Sequence, residues 1–213
     1  MRSIMVLNPK GGCGKSTITT NLASYFASAG KTVVIADFDP QGSSLAWLGA
    51  RPKSRPEILG VAAWKELVKH PKNTDVIIMD VPAGLHGKEL TAMIRRAQTV
   101  IIPVLPSPID IRAAAQFIHE LLAVGKVSRD EVKLAVTANR VREHTVVYHT
   151  LERFLNSLDI PFIATLRDTQ NYIRAAERGV GIFEMGPSMV EPDLEQWTPL
   201  IKWISSKRSL PKK

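Results

Sequence analysis

An α/β fold with a doubly wound, mostly parallel sheet and helices on both faces is predicted by two observations. Short β-branched apolar runs recur along the chain and are continuous rather than alternating, as strands buried on both faces require. Helical patterns separate those runs, and strand-helix alternation feeds a parallel sheet. In order, the strands are expected at Ser3–Leu7 (SIMVL), Thr32–Asp37 (TVVIAD), Asp75–Asp80 (DVIIMD), Thr99–Val104 (TVIIPV), Lys133–Ala138 (KLAVTA) and Pro161–Leu166 (PFIATL). Helices are expected at Lys15–Ala29 with Gly30 as its stop, Glu57–Lys69, Lys88–Ala97, Asp110–Val124 with Gly125 as its stop, Glu143–Leu158 and Leu194–Ser206. In such a fold ligands sit beyond the carboxyl ends of the strands, so the chemistry is sought there.

The 213 residues suit one domain, taken as 1–206 and followed by a basic polar tail, 207–213. A single cysteine, Cys13, excludes a disulfide framework and a cysteine-built metal cluster within one chain, and points to a reducing compartment, the cytoplasm. No leader pattern and no window of eighteen apolar residues is present, so neither export nor membrane insertion is expected. The formal charge of +8 favours a polyanionic partner, although the basic residues are scattered and include the proline-rich turn Arg51–Pro56.

The first strand runs into NPKGGCGKST, Asn8–Thr17, and then into a helix. Gly11, Gly12 and Gly14 allow backbone N–H groups to turn around phosphate oxygens, with the positive end of the helix behind them. Lys15 then reaches the β and γ phosphates and the Ser16 hydroxyl ligates Mg²⁺, with Cys13 and Thr17 completing the loop. Strand, glycine loop, GK[ST] and helix together are specific; a solvated turn would not need all four. Asp80 ends an apolar strand as a Walker B carboxylate does, and would hold Mg²⁺ through water. No histidine or glutamate stands out as a general base, so turnover is expected to be slow, with positioning and charge neutralisation carrying the rate. The five histidines lack a ligand spacing and read as surface residues, His86 included.

A second lysine in the loop, Lys10, is outside the ordinary phosphate-loop pattern. KGGxGK[ST] resembles the deviant Walker A loop of the ParA/MinD family of P-loop NTPases, whose extra lysine reaches across an ATP-sandwich homodimer to the partner's phosphates. The resemblance thus implies that Lys15 serves its own ATP and Lys10 that of the other subunit. DFDPQG, Asp37–Gly42, looks like the family's second motif, which implies Asp39 orienting the attacking water and Asp37 near the Mg²⁺. Asn139, with Arg140 beside it, falls where the family contacts adenine. LRDTQNYIRAAERGVGIFE, Leu166–Glu184, is similar to a family segment that makes Arg167, Arg174 and Arg178 the DNA-contact candidates; solvated helix charges explain the set as well, since acidic residues intervene.

The resemblance spans Ile4 to about Ile204 and is to the small ParA type, since the chain starts at the phosphate loop. It implies an ATPase that dimerises on ATP, binds DNA non-specifically on the nucleoid, and is released when a ParB-like or other adaptor stimulates hydrolysis, partitioning plasmid, chromosome or protein cargo. Two alternatives stand beside it. A MinD-like membrane-cycling regulator would use the stripe Leu194, Trp197, Leu200, Ile201 and Ile204 as an anchor, although such stripes are usually core and Pro199 interrupts this one. A metabolic P-loop enzyme, such as a dethiobiotin-synthetase relative, would need an acceptor pocket for which no residues are evident.

Overall fold

The computed structural model describes residues 1–211. The elements run β1 (Arg2–Val6), α1 (Lys15–Ser28), β2 (Val33–Asp37), α2 (Ser43–Gly49), β3 (Ile58–Ala62), β4 (Val76–Asp80), α3 (Gly87–Ile94), β5 (Thr99–Val104) and α4 (Pro108–Ala123). There follow α5 (Gly125–Ser128), β6 (Lys133–Val141), α6 (Val146–Asn156), β7 (Phe162–Arg167), α7 (Gln170–Glu177) and α8 (Pro187–Ser205). Among the described residues the sheet has seven strands, all parallel, as the continuous apolar runs predict.

The chain divides into two compact units. The first comprises Met1–Val6, Lys15–Pro82 and Thr169–Leu194, with strand order β3-β2-β4-β1. β2 and β4 are buried along their whole length, and α1 packs on β4, β2 and β1. α1 is itself buried nearly all round, and most of its polar side chains find partners: Asn21 donates to the Thr17 carbonyl at 2.8 Å and accepts from the Ile182 N–H at 2.6 Å, whereas the buried Thr19 hydroxyl has none among the described residues. The second unit comprises Leu7–Gly14, Ala83–Asp168 and Glu195–Lys213, with strand order β5-β6-β7. Its core includes all of β5 together with Phe117, Ile118, Leu121, Leu151 and Leu155 of α4 and α6.

Three expectations are corrected. The helix expected at Glu57–Lys69 is absent: Ile58–Ala62 forms strand β3 beside β2, and turns follow it. Pairing with β2 holds this segment extended, and at Gly60 a Cβ would come within 2.6 Å of Leu45 Cδ2 and 2.7 Å of Leu48 Cδ1, so the bare backbone gives these two α2 side chains room. α2 itself was not foreseen. β6 does not stop at Ala138 but continues to Val141 through a register shift, with Arg140 in the left-handed region at φ 53°. The last helix starts at Pro187 rather than Leu194 and runs through both Pro192 and Pro199.

Of the stripe considered as a membrane anchor, Trp197, Leu200 and Ile204 are buried while Leu194 and Ile201 are half-buried, so its greater part is core. No helix among the described residues is long and apolar enough to cross a membrane. Within the expected tail, Lys207–Ser209 forms a 3₁₀ turn with Ser209 buried, while Lys212 and Lys213 lie outside the described residues.

Candidate nucleotide site

In the first unit, β2 and β4 end level with each other, Asp37 opposite Asp80 in register, so that two carboxylates close adjacent strands. Both are buried, at 0% and 2% exposure. Asp80 Oδ2 accepts a hydrogen bond from Ser44 Oγ on α2, and the Ser16 hydroxyl also serves the Asp80 carboxylate. Burial pushes the Asp80 carboxyl up to about 6; the two serine hydroxyls and Lys15 oppose that rise, while Asp37 adds to it. Asp37 is raised as well, first by burial, against the N–H groups of Asp39, Ser44 and Leu45. One Asp37 oxygen accepts from Asp39 N–H at 3.0 Å; the other, Oδ2, is buried with no protein partner.

An orphaned, buried carboxylate oxygen beside a second carboxylate and two hydroxyls is an oxygen set suited to a hard divalent cation. Among the described residues no three His, Cys, Asp or Glu side chains form a metal cluster, so a cation here would be held by the two carboxylates and a hydroxyl. Ser16, Asp37 and Asp80 fit Mg²⁺. Asp39, half-buried at the rim, uses Oδ1 to accept from Gln41 N–H at 2.9 Å, which shapes the DPQG turn. Ser44 was missed by sequence reasoning; its one signal was a hydroxyl just after the glycine that closes the DPQG motif.

In the second unit the glycine loop is pinned from several sides. Asn8 donates to the Pro103 carbonyl at 2.6 Å and accepts from Lys10 N–H at 2.8 Å. The Cys13 thiol donates to the Lys10 carbonyl at 3.4 Å, and Gly84 N–H donates to the Pro9 carbonyl at 2.9 Å. Asn139, 5% exposed, donates from Nδ2 to the Cys13 carbonyl at 2.8 Å. Lys10 Nζ lies 3.1 Å from Asp110 Oδ1, a partner the sequence did not suggest. Arg140 is exposed, its Nε 3.4 Å from Asp168 Oδ1. His86 is a surface residue bonded to Glu120 at 3.0 Å.

Of the DNA-contact candidates, Arg174 and Arg178 stand exposed one turn apart, at the end of α7 and just beyond it, in the first unit. Arg167 closes β7 in the second unit and is half-buried. Arg51 is not free surface charge, and Arg55, though exposed, is tied to the same segment. Arg51 forms a bidentate pair with Glu184, Nη2 to Oε1 at 2.7 Å and Nη1 to Oε2 at 2.9 Å, and Arg55 donates to the Glu184 carbonyl at 2.9 Å. The glutamate of the expected IFE segment is thus a structural anchor.

A model of the CobQ/CobB/MinD/ParA nucleotide binding domain matches residues 4–182. The chain belongs to that family. The match covers the glycine loop, both strand-end carboxylates and Asn139, so the ParA/MinD resemblance is borne out and the family is one of nucleotide-binding ATPases. A similar relative is Maintenance of carboxysome distribution protein A of Halothiobacillus neapolitanus, 28% identical over 191 residues, covering 86% of this chain and 88% of the relative. Among solved structures, apo McdA of Cyanothece aligns with a TM-score of 0.71 at 16% identity, covering 94% of this chain and 99% of that one. Septum site-determining protein MinD of Pyrococcus horikoshii, solved with Mg-ADP, aligns with a TM-score of 0.63 at 17% identity, covering 94% and 93%. At these identities the structural likeness establishes the ParA/MinD fold.

Proposed function

We propose that this ParA/MinD-family chain, acting as one ATPase domain over 1–206, closes into a homodimer on ATP, binds DNA without sequence preference in that state, and is released when an adaptor protein stimulates hydrolysis. The observation that carries the reading is the division between the two loop lysines. Lys15 is buried, at 8% exposure, with the strand-end carboxylates of its own unit. Lys10 keeps 35% of its side chain exposed, with its Nζ beside the part-exposed Asp110 carboxylate. A lysine so placed is suited to a phosphate that arrives from outside the chain, as an arginine finger in trans is.

The roles follow from the residues. Gly11, Gly12 and Gly14 present backbone N–H groups to the phosphates, and Lys15 neutralises the β and γ oxygens. Ser16, Asp37 and Asp80 would hold Mg²⁺, which when bound supplies charge neutralisation at the transferring phosphoryl group. Asp39, at the rim of the carboxylate pair, orients the attacking water. Asn139 and Arg140 are the candidates beside adenine. Without a strong base the intrinsic rate is expected to be low, on the order of 10⁻⁴ to 10⁻² per second as in unstimulated switch NTPases. Arg174 and Arg178, with Arg167, are the candidate DNA contacts, doubled by dimerisation into one avid face.

The similarity to a carboxysome distribution protein supports a positioning role and makes a large protein assembly one cargo to test, beside plasmid and chromosome. The burial of the Trp197 stripe weighs against a membrane-cycling alternative. The test is a DNA mobility shift with ATP, ADP and no nucleotide at matched protein. A shift confined to ATP and lost at high salt is expected; equal shifts in all three conditions would contradict the reading.

A further inference from the structure

Asn139 stands where a base contact was expected, yet its carboxamide is engaged with the glycine loop. It is 5% exposed, and Nδ2 donates to the Cys13 carbonyl at 2.8 Å. The same amide crowds Gly14, at φ +91°: a Cβ there would lie 2.3 Å from Nδ2. The close approach of the amide therefore requires glycine both for its backbone conformation and for its lack of a side chain.

The consequence lies in peptide geometry. A trans peptide is planar, and its C=O and N–H point in opposite directions. Fixing the Cys13 carbonyl toward β6 fixes the Gly14 N–H away from β6. Without that hold, the Cys13–Gly14 peptide, flanked by a glycine free of side-chain restraint, is able to rotate and present a carbonyl oxygen where an N–H is needed. A carbonyl facing a phosphate oxygen is repulsive, whereas an N–H there is a charge-assisted donor. Asn8 performs a similar service at the start of the loop, through the Pro103 carbonyl and the Lys10 N–H.

We infer that Asn139 is a positioning residue for the phosphate loop: its amide locks the Cys13–Gly14 peptide so that the Gly14 N–H faces the polyphosphate, and base recognition is not its main role. The inference deepens the nucleotide-binding part of the proposed function and rests on it. The ligand class is the polyphosphate chain itself, with or without a nucleoside attached.

Calorimetry with MgADP, MgGDP and inorganic tripolyphosphate tests this on the parent, Asn139→Ala and Asn139→Leu, with thermal melts as a check of folding. Asn139→Leu keeps the volume beside Gly14 and removes the donor, so it stays informative if the alanine variant is unstable. Both variants are expected to lose about ten- to a hundredfold in affinity for tripolyphosphate and for MgADP alike, with an unchanged ADP-to-GDP ratio. The Gly14 amide resonance, expected to move downfield on tripolyphosphate binding in the parent, should move little in either variant. Unchanged tripolyphosphate affinity with weaker MgADP binding and a narrowed ADP preference would overturn the inference in favour of a base contact. Full affinity in Asn139→Leu would overturn it in favour of plain packing. A parent that binds these ligands but neither dimerises nor shifts DNA would sink the proposed cycle and leave the inference standing; a parent that binds none of them would overturn both.

Discussion

Lys10 Nζ sits 3.1 Å from Asp110 Oδ1 at the first turn of α4, where Ser107 both caps the helix and bonds the same carboxylate. The lysine proposed to serve a second subunit is therefore held within its own chain in this state, by a pair whose side chains are 35% and 16% exposed.

Closing the proposed dimer requires Lys10 to leave Asp110. A partly exposed pair is worth at most about 1 kcal/mol and each dimer breaks two of them, so Asp110→Asn should lower the protein concentration needed for ATP-dependent dimerisation by up to about thirtyfold. Light scattering over a protein titration with ATP measures it. An unchanged or raised midpoint would mean that the pair does not restrain the lysine.

Asp80 gives the site a pH dependence of definite sign. Its carboxyl is raised to about 6, so its contribution to the stability of the empty protein is full below the ordinary carboxyl value, near 4, and is lost as pH rises through about 6. Cation binding needs the ionised form and runs the other way. MgADP affinity should fall as pH drops from 7 to 5, relative to Asp80→Asn, in which the nucleotide's own titration is shared and cancels. A constant ratio across that range would place the titration elsewhere.

The Arg51–Glu184 pair is 6% and 1% exposed, and removing one partner leaves the other charge buried. Arg51→Ala should cost about 3 kcal/mol or more of stability, read as a lowered Tm, because breaking a buried pair is far more costly than the pair's net worth. A loss below about 1 kcal/mol would mean that water reaches Glu184.

That pair also marks how far the sequence is legible. The strands could be read because burial on both faces makes each one continuously apolar, and the chemistry followed because Asp37 and Asp80 terminate such runs. β3 could not be read, since Val61, Trp64 and Leu67 lie at helical spacing and the extended backbone there comes from pairing with β2, a strand distant in the sequence. Ser44, Asp110 and the Arg51–Glu184 pair were equally opaque. Each acquires its role from a partner distant in sequence, 36 residues for Ser44 and 133 for Arg51, and no local pattern encodes such meetings.

Arg174 and Arg178 are exposed on α7 or directly after it, so replacing each with Ala should leave MgADP binding intact while weakening ATP-dependent DNA binding across all sequences. The slope of log affinity against log salt should fall by about 1 for each phosphate contact removed. A salt slope equal to that of the parent would remove α7 from the DNA face.

The central claim is that Lys10 acts in trans. Two ATP molecules facing each other across a dimer concentrate negative charge, and burying it is unfavourable without cations beyond each chain's own Lys15 and Mg²⁺. Light scattering of the parent and Lys10→Ala with ATP and with ADP, joined to a DNA shift on the same samples, tests this directly. The parent is expected to dimerise and shift DNA with ATP and not with ADP, while Lys10→Ala stays folded, retains some monomeric nucleotide binding and loses dimerisation and DNA binding together. A Lys10→Ala protein that dimerises and shifts DNA with ATP as the parent does would contradict that claim.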